Sequence, residues 1–182
     1  RTRTYPLRAT QTLAPFITNA DVADANRPQP VGNPATGQVP KQVAMASQET
    51  VESAISAAEA AFPAWRNTPP AKRARVMFKF KQLLEEHAEE ISAAITDEHG
   101  KVFDDAMGEF GRGVEVVDYA CGIPELLKGE YSKNVGPGID TWSDFQPPGV
   151  VAGITPFNFP AMVPMWMYSM AIACGTPFVP KP

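Results

Sequence analysis

The sequence is poor in the residues that build metal centres and disulfide frameworks. It contains two cysteines and two histidines, and the spacings of Cys121, Cys174, His87 and His99 form no ligand or disulfide pattern. So little cysteine is typical of a reducing intracellular compartment. Positive charge is also scarce, because the net charge is −4 and nucleic-acid binding requires clustered Lys and Arg. The composition therefore predicts no metal centre and no nucleic-acid partner.

An uninterrupted apolar run of membrane-spanning length is lacking as well. Residues 145–180 carry no charged side chain, but prolines divide this stretch. Its longest proline-free part, Met165–Thr176, falls short of the roughly 20 apolar residues that one spanning helix needs. We therefore expect a buried helix between buried strands and no membrane partner.

The first residues have no acidic side chain and no hydrophobic period. Arg1, Arg3 and Arg8 precede the first carboxylate, Asp21. We expect residues 1–30 to form an N-terminal arm, and two interpretations stay open for it. It is either a flexible terminal segment or the remainder of an Arg-rich transit peptide.

From residue 31 onward the pattern indicates a turn followed by helices. Asn33–Gly37 has turn chemistry, with Val31 and Val39 as strand residues on either side. Four helices follow, and the sequence predicts these limits for them: one from Gln48 with Ser47 as N-cap, ending at Pro63; one from Pro70 capped by Thr68; one from Ala88 to Gly100; and one from Val102 to Cys121.

The last of these helices contains three glycines, Gly108, Gly111 and Gly113. Glycine lowers helix stability by ~1 kcal/mol relative to alanine, so their presence indicates close packing against another backbone, or a kink. Glu109 and Arg112 on the same helix have the spacing of a surface ion pair.

The C-terminal part reads as strand, helix, strand. Residues 126–146 are predicted to be strands or extended loop, and residues 149–154 a fully buried parallel strand. Met162–Cys174 is a predicted helix, and Phe178 and Val179 begin the next strand. This βαβ unit places the chain in the α/β class.

A proline-stiffened loop connects the predicted strand to the helix and carries Asn158, which we expect to be a buried amide. Two interpretations stay open: the amide bonds its own loop, or it donates to a developing oxyanion. Thr155 and Phe157 lie where the strand ends and ligands bind in open α/β sheets. Lys181 is either a solvated strand end or a contact to a nucleotide. No Gly-x-Gly-x-x-Gly fingerprint is present.

Short motifs along the chain add a resemblance to this picture. They are Asn33-Pro34-Ala35-Thr36-Gly37, Ala61-Phe62-x-x-Trp65, His99-Gly100-Lys101, Gly108-Glu109 and Pro156-Phe157-Asn158-Phe159-Pro160. From about residue 31 to the end, they resemble the NAD(P)-dependent aldehyde dehydrogenase superfamily. Phe157, the segment Gly138–Asp144 and the segment Pro160–Tyr168 are similar to the CoA-acylating branch that includes methylmalonate-semialdehyde dehydrogenase.

The resemblance implies a fold, a reaction and a set of site residues. Residues 31–182 would be an incomplete Rossmann-like NAD-binding domain. A cysteine would attack the semialdehyde, Asn158 would stabilise the thiohemiacetal oxyanion, and hydride would pass to NAD. Coenzyme A would then take the thioester with loss of CO2, as in valine or inositol catabolism. Ile154, Thr155, Phe157 and Lys181 match cofactor-binding positions, and Arg112 and Phe157 match substrate-binding positions.

The sequence also departs from the family pattern. The nucleophilic cysteine belongs to a later segment, so we expect this chain alone to be inactive. Pro180 replaces the usual Leu before Lys181 and removes a strand donor, while Ser169 and Phe145 replace an expected Pro and Arg. Other readings stay open, namely a succinate-semialdehyde type of dehydrogenase or a non-catalytic, truncated homologue that binds a nucleotide or a partner. NAD or NADP, a dimer or a tetramer, and bacterial cytoplasm or mitochondrial matrix are all compatible with the sequence.

Overall fold

The computed structural model describes residues 11–18, 20–22 and 27–182. Its N-terminal part is built of short strands, β1 Gln11–Leu13, β2 Phe16–Ile17, β3 Ala20–Asp21, β4 Pro28–Val31 and β5 Lys41–Ala44. Strand β5 lies between β4, which is antiparallel to it, and β1, which is parallel to it. Strands β2 and β3 form a separate antiparallel pair. The segment expected to be an arm therefore contributes two strands to the sheet around β5.

The predicted hairpin around Asn33–Gly37 is confirmed, with one correction. Val31 pairs with Lys41, whereas Val39 lies between the strands and is largely exposed. The turn is closed by Asn33, whose side-chain oxygen accepts hydrogen bonds from the amides of Ala35 and Thr36. The boundary between residues 30 and 31 stays a prediction. Arg1, Arg3 and Arg8 lie outside the described residues.

The helices follow in sequence order and account for most of the middle of the chain. They are α1 Gln48–Arg66, α2 Pro70–Glu86, α3 Ala88–His99, α4 Phe103–Cys121, α5 Ile123–Leu126 and α6 Met162–Ala173. Ser47 caps α1 through its hydroxyl, which accepts from the amide of Thr50, and Gly100 ends α3 with a left-handed φ of 82°. Both predicted ends are confirmed.

Two helix boundaries differ from those predicted. Pro63 lies inside α1, which continues to Arg66; a proline cannot donate to the preceding turn, yet packing keeps the last turn helical. Thr68 does not cap α2, because its hydroxyl donates to the carbonyl of Ala64 at the end of α1. Helix α2 instead begins with Pro70 at its first position, where the missing N–H costs nothing.

Two strand pairs complete the chain. Strands β6 Tyr131–Gly136 and β7 Ile139–Trp142 form an antiparallel hairpin whose side chains are mostly exposed. Strands β8 Val151–Ile154 and β9 Phe178–Lys181 are parallel, and α6 connects them. The predicted βαβ unit and the α/β class are confirmed. The prediction that strand β8 is fully buried is wrong, since Ile154 at its end is 78% exposed.

The hydrophobic core lies between α2, α4, α5 and α6. Its largest contributors are Met77, Phe110, Val117, Ile123 and Met165. Helix α6 is fixed at its C-terminal end as well, because the indole of Trp65 donates to the carbonyl of Ile172 and Arg73 donates to that of Ala173. A cation at a helix C-terminus is favoured by the helix dipole. Within the described residues, none of the helices has the length and apolar character that a bilayer crossing requires.

Candidate active site

The candidate site lies where the two parallel strands end and α6 begins. Ile154 of β8 and Lys181 of β9 are paired in register, and the amide of Thr155 donates to the carbonyl of Lys181 over 3.1 Å. Ile154 and Phe157 are 78% and 87% exposed. The strand ends therefore present two large apolar side chains, the Thr155 hydroxyl and the Lys181 ammonium at one edge.

Pro180 does not displace Lys181 from this edge. The carbonyls of Pro177 and Lys181 accept hydrogen bonds from Val151 and Thr155, so odd-numbered residues of β9 face β8. Because alternate residues of a strand direct their backbone groups to opposite neighbours, the nitrogen of Pro180 points away from β8. The ladder between β8 and β9 consequently loses no donor.

Asn158 is exposed, which corrects the expectation of a buried amide. It lies in the loop between Ile154 and Met162, where its backbone carbonyl accepts a hydrogen bond from the Lys101 ammonium at 3.0 Å. Within the described part of the chain, no hydrogen bond is found for its side-chain amide, so the alternative in which this amide bonds its own loop has no support. The loop is thus held by its backbone, and the amide is left to face solvent.

Glu109 has no exposed surface and is not the surface partner of Arg112 that the spacing predicted. Its Oε1 accepts hydrogen bonds from the amides of Ala161 and Met162 at 2.9 and 3.2 Å. Its Oε2 lies 2.5 Å from the Lys101 ammonium. Burial raises the pKa of Glu109, but the hydrogen bonds from Lys101, Ala161 and Met162 outweigh it, so that the net pKa lies below the usual value. Glu109 is therefore held as a carboxylate.

A cleft of about 360 Å³ opens between the start of α4 and the Asn158 loop. It is lined by Lys101, Asp104, Asp105, Gly108, Arg112, Asn158 and Phe159. The ring of Phe159 lies near two cations, with its centroid 4.4 Å from the Lys101 nitrogen and 5.7 Å from the guanidinium carbon of Arg112. The structure thus brings Asn158 and Arg112 to one cleft, while Ile154, Thr155, Phe157 and Lys181 lie at the neighbouring strand ends.

Both cysteines lie in packed helical surroundings. Cys121 is buried at the end of α4, and its thiol lies 3.4 Å from the carbonyl of Val117. Burial raises the pKa of Cys121 and of Cys174, although the charge of Arg73 acts in the opposite direction on Cys174. Since the thiolate is the nucleophile, neither position suits covalent catalysis.

Lys101 and Glu109 belong to short sequence motifs, but the sequence did not predict the contacts that they make. The signal was present for Glu109, because it falls on the apolar face of α4 between Ala106 and Gly113, at spacings of three and four residues. A carboxylate on such a face must find buried partners. Nothing local in the sequence indicates that Lys101 reaches Asn158, 57 positions away.

Comparison with known proteins identifies the family of this chain. A model of the aldehyde dehydrogenase family matches residues 22–182. The chain therefore belongs to the aldehyde dehydrogenase family, and the resemblance noted in its motifs is confirmed.

Within that family the chain is similar to semialdehyde dehydrogenases. It is 62% identical over 171 residues to the malonate-semialdehyde dehydrogenase of Pseudomonas aeruginosa, covering 94% of this chain and 34% of that protein. The crystal structure of methylmalonate-semialdehyde dehydrogenase from Oceanimonas doudoroffii superimposes with a TM-score of 0.93 and 65% identity, covering 95% of this chain and 36% of that one. A structure from Sinorhizobium meliloti, solved in complex with NAD, gives a TM-score of 0.92 and 48% identity, covering 95% and 35%. The chain spans about a third of the length of these relatives.

Proposed function

We propose that the full-length protein containing this chain oxidises malonate or methylmalonate semialdehyde with NAD and transfers the acyl group to coenzyme A. The observation that carries the proposal is the shared cleft of the unengaged Asn158 amide and the Arg112 guanidinium. An aldehyde oxidation needs a donor for the oxyanion, and a substrate with a carboxylate needs a cation. One cleft offers both groups.

Asn158 is proposed to supply the oxyanion donor. An amide N–H directed at a developing oxyanion stabilises the transition state more than the ground state, and removing one such donor costs about 10²–10³ in kcat. The side chain has no hydrogen-bond partner in the described residues that it would have to leave. Its backbone is fixed by Lys101, which limits the motion of the side chain's attachment point.

Arg112 is proposed to bind the substrate carboxylate. Its guanidinium is exposed at the cleft and can bind a carboxylate through two parallel hydrogen bonds. Glu109 does not compete for it, because that carboxylate is buried and bound to Lys101. The ring of Phe157, which precedes Asn158 and is exposed, offers an apolar surface beside the cleft, and we assign it to both substrate and cofactor binding.

The strand ends fit a dinucleotide. Ligands of open parallel sheets bind beyond the carboxyl ends of the strands, and there Ile154 and Phe157 expose apolar surface that a bound ring system would cover. Thr155 and Lys181 offer a hydroxyl and an ammonium at the same level of the sheet. NAD, when bound, accepts the hydride. We prefer NAD to NADP because the structurally similar protein from Sinorhizobium meliloti was solved with NAD.

The nucleophile is proposed to lie outside residues 1–182, since burial raises the pKa of both cysteines in the chain. The transfer of the thioester to coenzyme A, with loss of CO2, rests on the similarity to the CoA-acylating branch. We further propose a homo-oligomer, either a dimer or a tetramer, in the bacterial cytoplasm. The exposed apolar surface of this chain and its similarity to bacterial enzymes support this assignment.

The test is a steady-state assay of NADH formation by the full-length protein. Malonate, methylmalonate and succinate semialdehydes are compared with and without coenzyme A. We expect CoA-dependent turnover of the first two and a loss of about 10²–10³ in kcat for Asn158→Ala. Asn67→Ala, an exposed amide at the end of α1, is the matched control and should retain wild-type kcat. Full activity of Asn158→Ala, or a preference for succinate semialdehyde without coenzyme A, would overturn the proposal.

A further inference from the structure

The Asn158 loop is held by an ion pair between Lys101 and Glu109 that is largely shielded from solvent. The Lys101 ammonium lies between the Glu109 carboxylate, at 2.5 Å, and the carbonyl of Asn158, at 3.0 Å. Lys101 retains 13% of its side-chain exposure and Glu109 none. A pair so protected from solvent is screened little by salt. The pair therefore links Glu109 of α4 to the Asn158 loop through contacts that solvent and salt weaken little.

Glu109 makes the second half of the connection. The amides of Ala161 and Met162 at the start of α6 have no intrahelical acceptor, and both donate to its Oε1. A carboxylate at a helix N-terminus is also favoured by the helix dipole. The residues on both sides of Asn158 are thus fixed, the carbonyl of Asn158 by Lys101 and the helix start by Glu109.

Gly113 makes this arrangement sterically possible. It lies one helical turn after Glu109 on the same face of α4, and a Cβ atom there would stand 3.2 Å from the Cα atom of Met162. The backbones of α4 and α6 therefore approach closely at this point. Because the two helices lie so close here, the Glu109 side chain on α4 can reach the first amides of α6.

From these contacts we infer that Lys101 and Glu109 are positioning residues for Asn158. This inference rests on the proposed function, because it assigns the pair to the placement of the oxyanion donor. Lys101 also lines the cleft, but its ammonium is engaged by Glu109 and by the Asn158 carbonyl, so that it acts through the backbone from which the Asn158 amide extends. Small displacements of a reacting group are costly, with about 10²-fold lost for a shift of 1 Å.

The test is a double-mutant cycle in the full-length protein with Lys101→Met, Asn158→Ala and the combined variant. Lys101→Met keeps the length of the side chain and leaves Glu109 two of its three partners. We expect it to lower kcat by about 10–100-fold with the KM for NAD unchanged. In the Asn158→Ala background it should have no further effect, because residues that act as a unit are non-additive. Lys101→Arg, which keeps the charge, should restore most of kcat.

Lys128→Met is the matched control, since Lys128 forms an exposed pair with Glu125 at the same distance of 2.5 Å; it should leave kcat unchanged. Equal losses from Lys101→Met in both backgrounds would overturn the inference, as would wild-type kcat for Lys101→Met beside an impaired Asn158→Ala. Wild-type activity of Asn158→Ala itself would instead refute the proposed function.

A second measurement covers the case in which Lys101→Met does not fold. Glu109→Gln keeps an oxygen acceptor for the α6 amides and removes only the charge that holds Lys101. We expect a smaller fall in kcat, again absent in the Asn158→Ala background. Hydrogen exchange of residues 157–163 should accelerate in this variant, while that of β8 should not. Unchanged exchange together with unchanged kcat would overturn the inference.

Discussion

Gly113 of α4 and Met162 of α6 lie so close that a Cβ atom on the glycine would stand 3.2 Å from the Cα atom of the methionine. It would also collide with the flexible end of Met165, whose Cε lies 2.3 Å from the ideal Cβ position. The methionine side chain can move, whereas the α6 backbone is held by Glu109 and by the packing of its core face. Gly113 is thus required for the distance between the two helices.

Gly113→Ala is therefore expected to destabilise the protein by about 1–3 kcal/mol, the usual cost of overpacking. Gly111→Ala, two positions earlier on the same helix, is the matched control. Its Cβ would have no atom within 4 Å, so the better helix propensity of alanine should stabilise the protein by roughly 0.5–1 kcal/mol. Thermal unfolding of the two variants should move in opposite directions. Stabilisation by both substitutions would show that the helix spacing does not depend on Gly113.

Glu109 should make stability depend on pH in the acidic range. Its native pKa is lowered, so its stabilising contribution is complete above the unfolded value of about 4.3 and is lost as the pH falls through the native value. We expect the difference in melting temperature between wild type and Glu109→Gln to be largest near neutral pH and to shrink below about pH 4. Glu125→Gln, on the exposed surface of α5, controls for the loss of one negative charge. A difference that does not vary with pH would contradict this account.

Local signals predicted the helices well, because caps and turns depend on a few neighbouring residues. Ser47 and Gly100 were predicted to bound α1 and α3, and the structure confirms both. The prediction that α1 ends at Pro63 was wrong. The fixed φ of proline suits a helix, and the cost of its missing donor is offset by contacts that no local pattern shows. One such contact is the hydrogen bond from Trp65 to Ile172, 107 positions away.

The candidate site was only partly predictable for the same reason. The position of Asn158 between strand and helix followed from the order of the elements, and its place beside Arg112 in one cleft is seen only in the structure. Its exposure was misjudged, since an uncharged stretch was read as buried throughout. The role proposed for Lys101 depends on bringing two segments 57 positions apart into contact. A hydrophobic period cannot encode such a contact, because the pairing depends on the tertiary packing of α4 against α6.

Lys181 offers a test of the proposed cofactor site. If the ammonium at the end of β9 contacts the dinucleotide, Lys181→Ala in the full-length protein should weaken NAD binding by about fivefold to tenfold, the value of one hydrogen bond. Lys72→Ala is the matched control. Its neighbour Arg73 contacts the C-terminal end of α6, which is opposite to the end that faces the candidate site. Fluorescence titration of NAD gives both dissociation constants. Equal effects of the two substitutions would remove Lys181 from the site.

Cys121 and Cys174 should be dispensable for catalysis. Burial raises the pKa of each thiol, so little thiolate is present at neutral pH, and the thiol of Cys121 lies 3.4 Å from a helix carbonyl. We expect Cys121→Ala and Cys174→Ala to retain the kcat of the full-length protein, with at most a loss of stability. Steady-state kinetics at saturating substrate decides the question. A loss of kcat without a lower melting temperature would assign a catalytic role to the affected cysteine.

The chain of 182 residues should be inactive and should associate when it is isolated. Ile154, Phe157 and Trp166 are 78%, 87% and 43% exposed, and they lie at the end of β8, in the loop that follows it and on α6. Exposed apolar surface of this kind promotes association. Sedimentation should therefore give masses well above the 19.7 kDa of one chain. Ile154→Lys should reduce the association, whereas Lys72→Ala should not.

A monodisperse monomer would show that this apolar surface does not drive association. Measurable turnover by the isolated chain would place a nucleophile within its 182 residues.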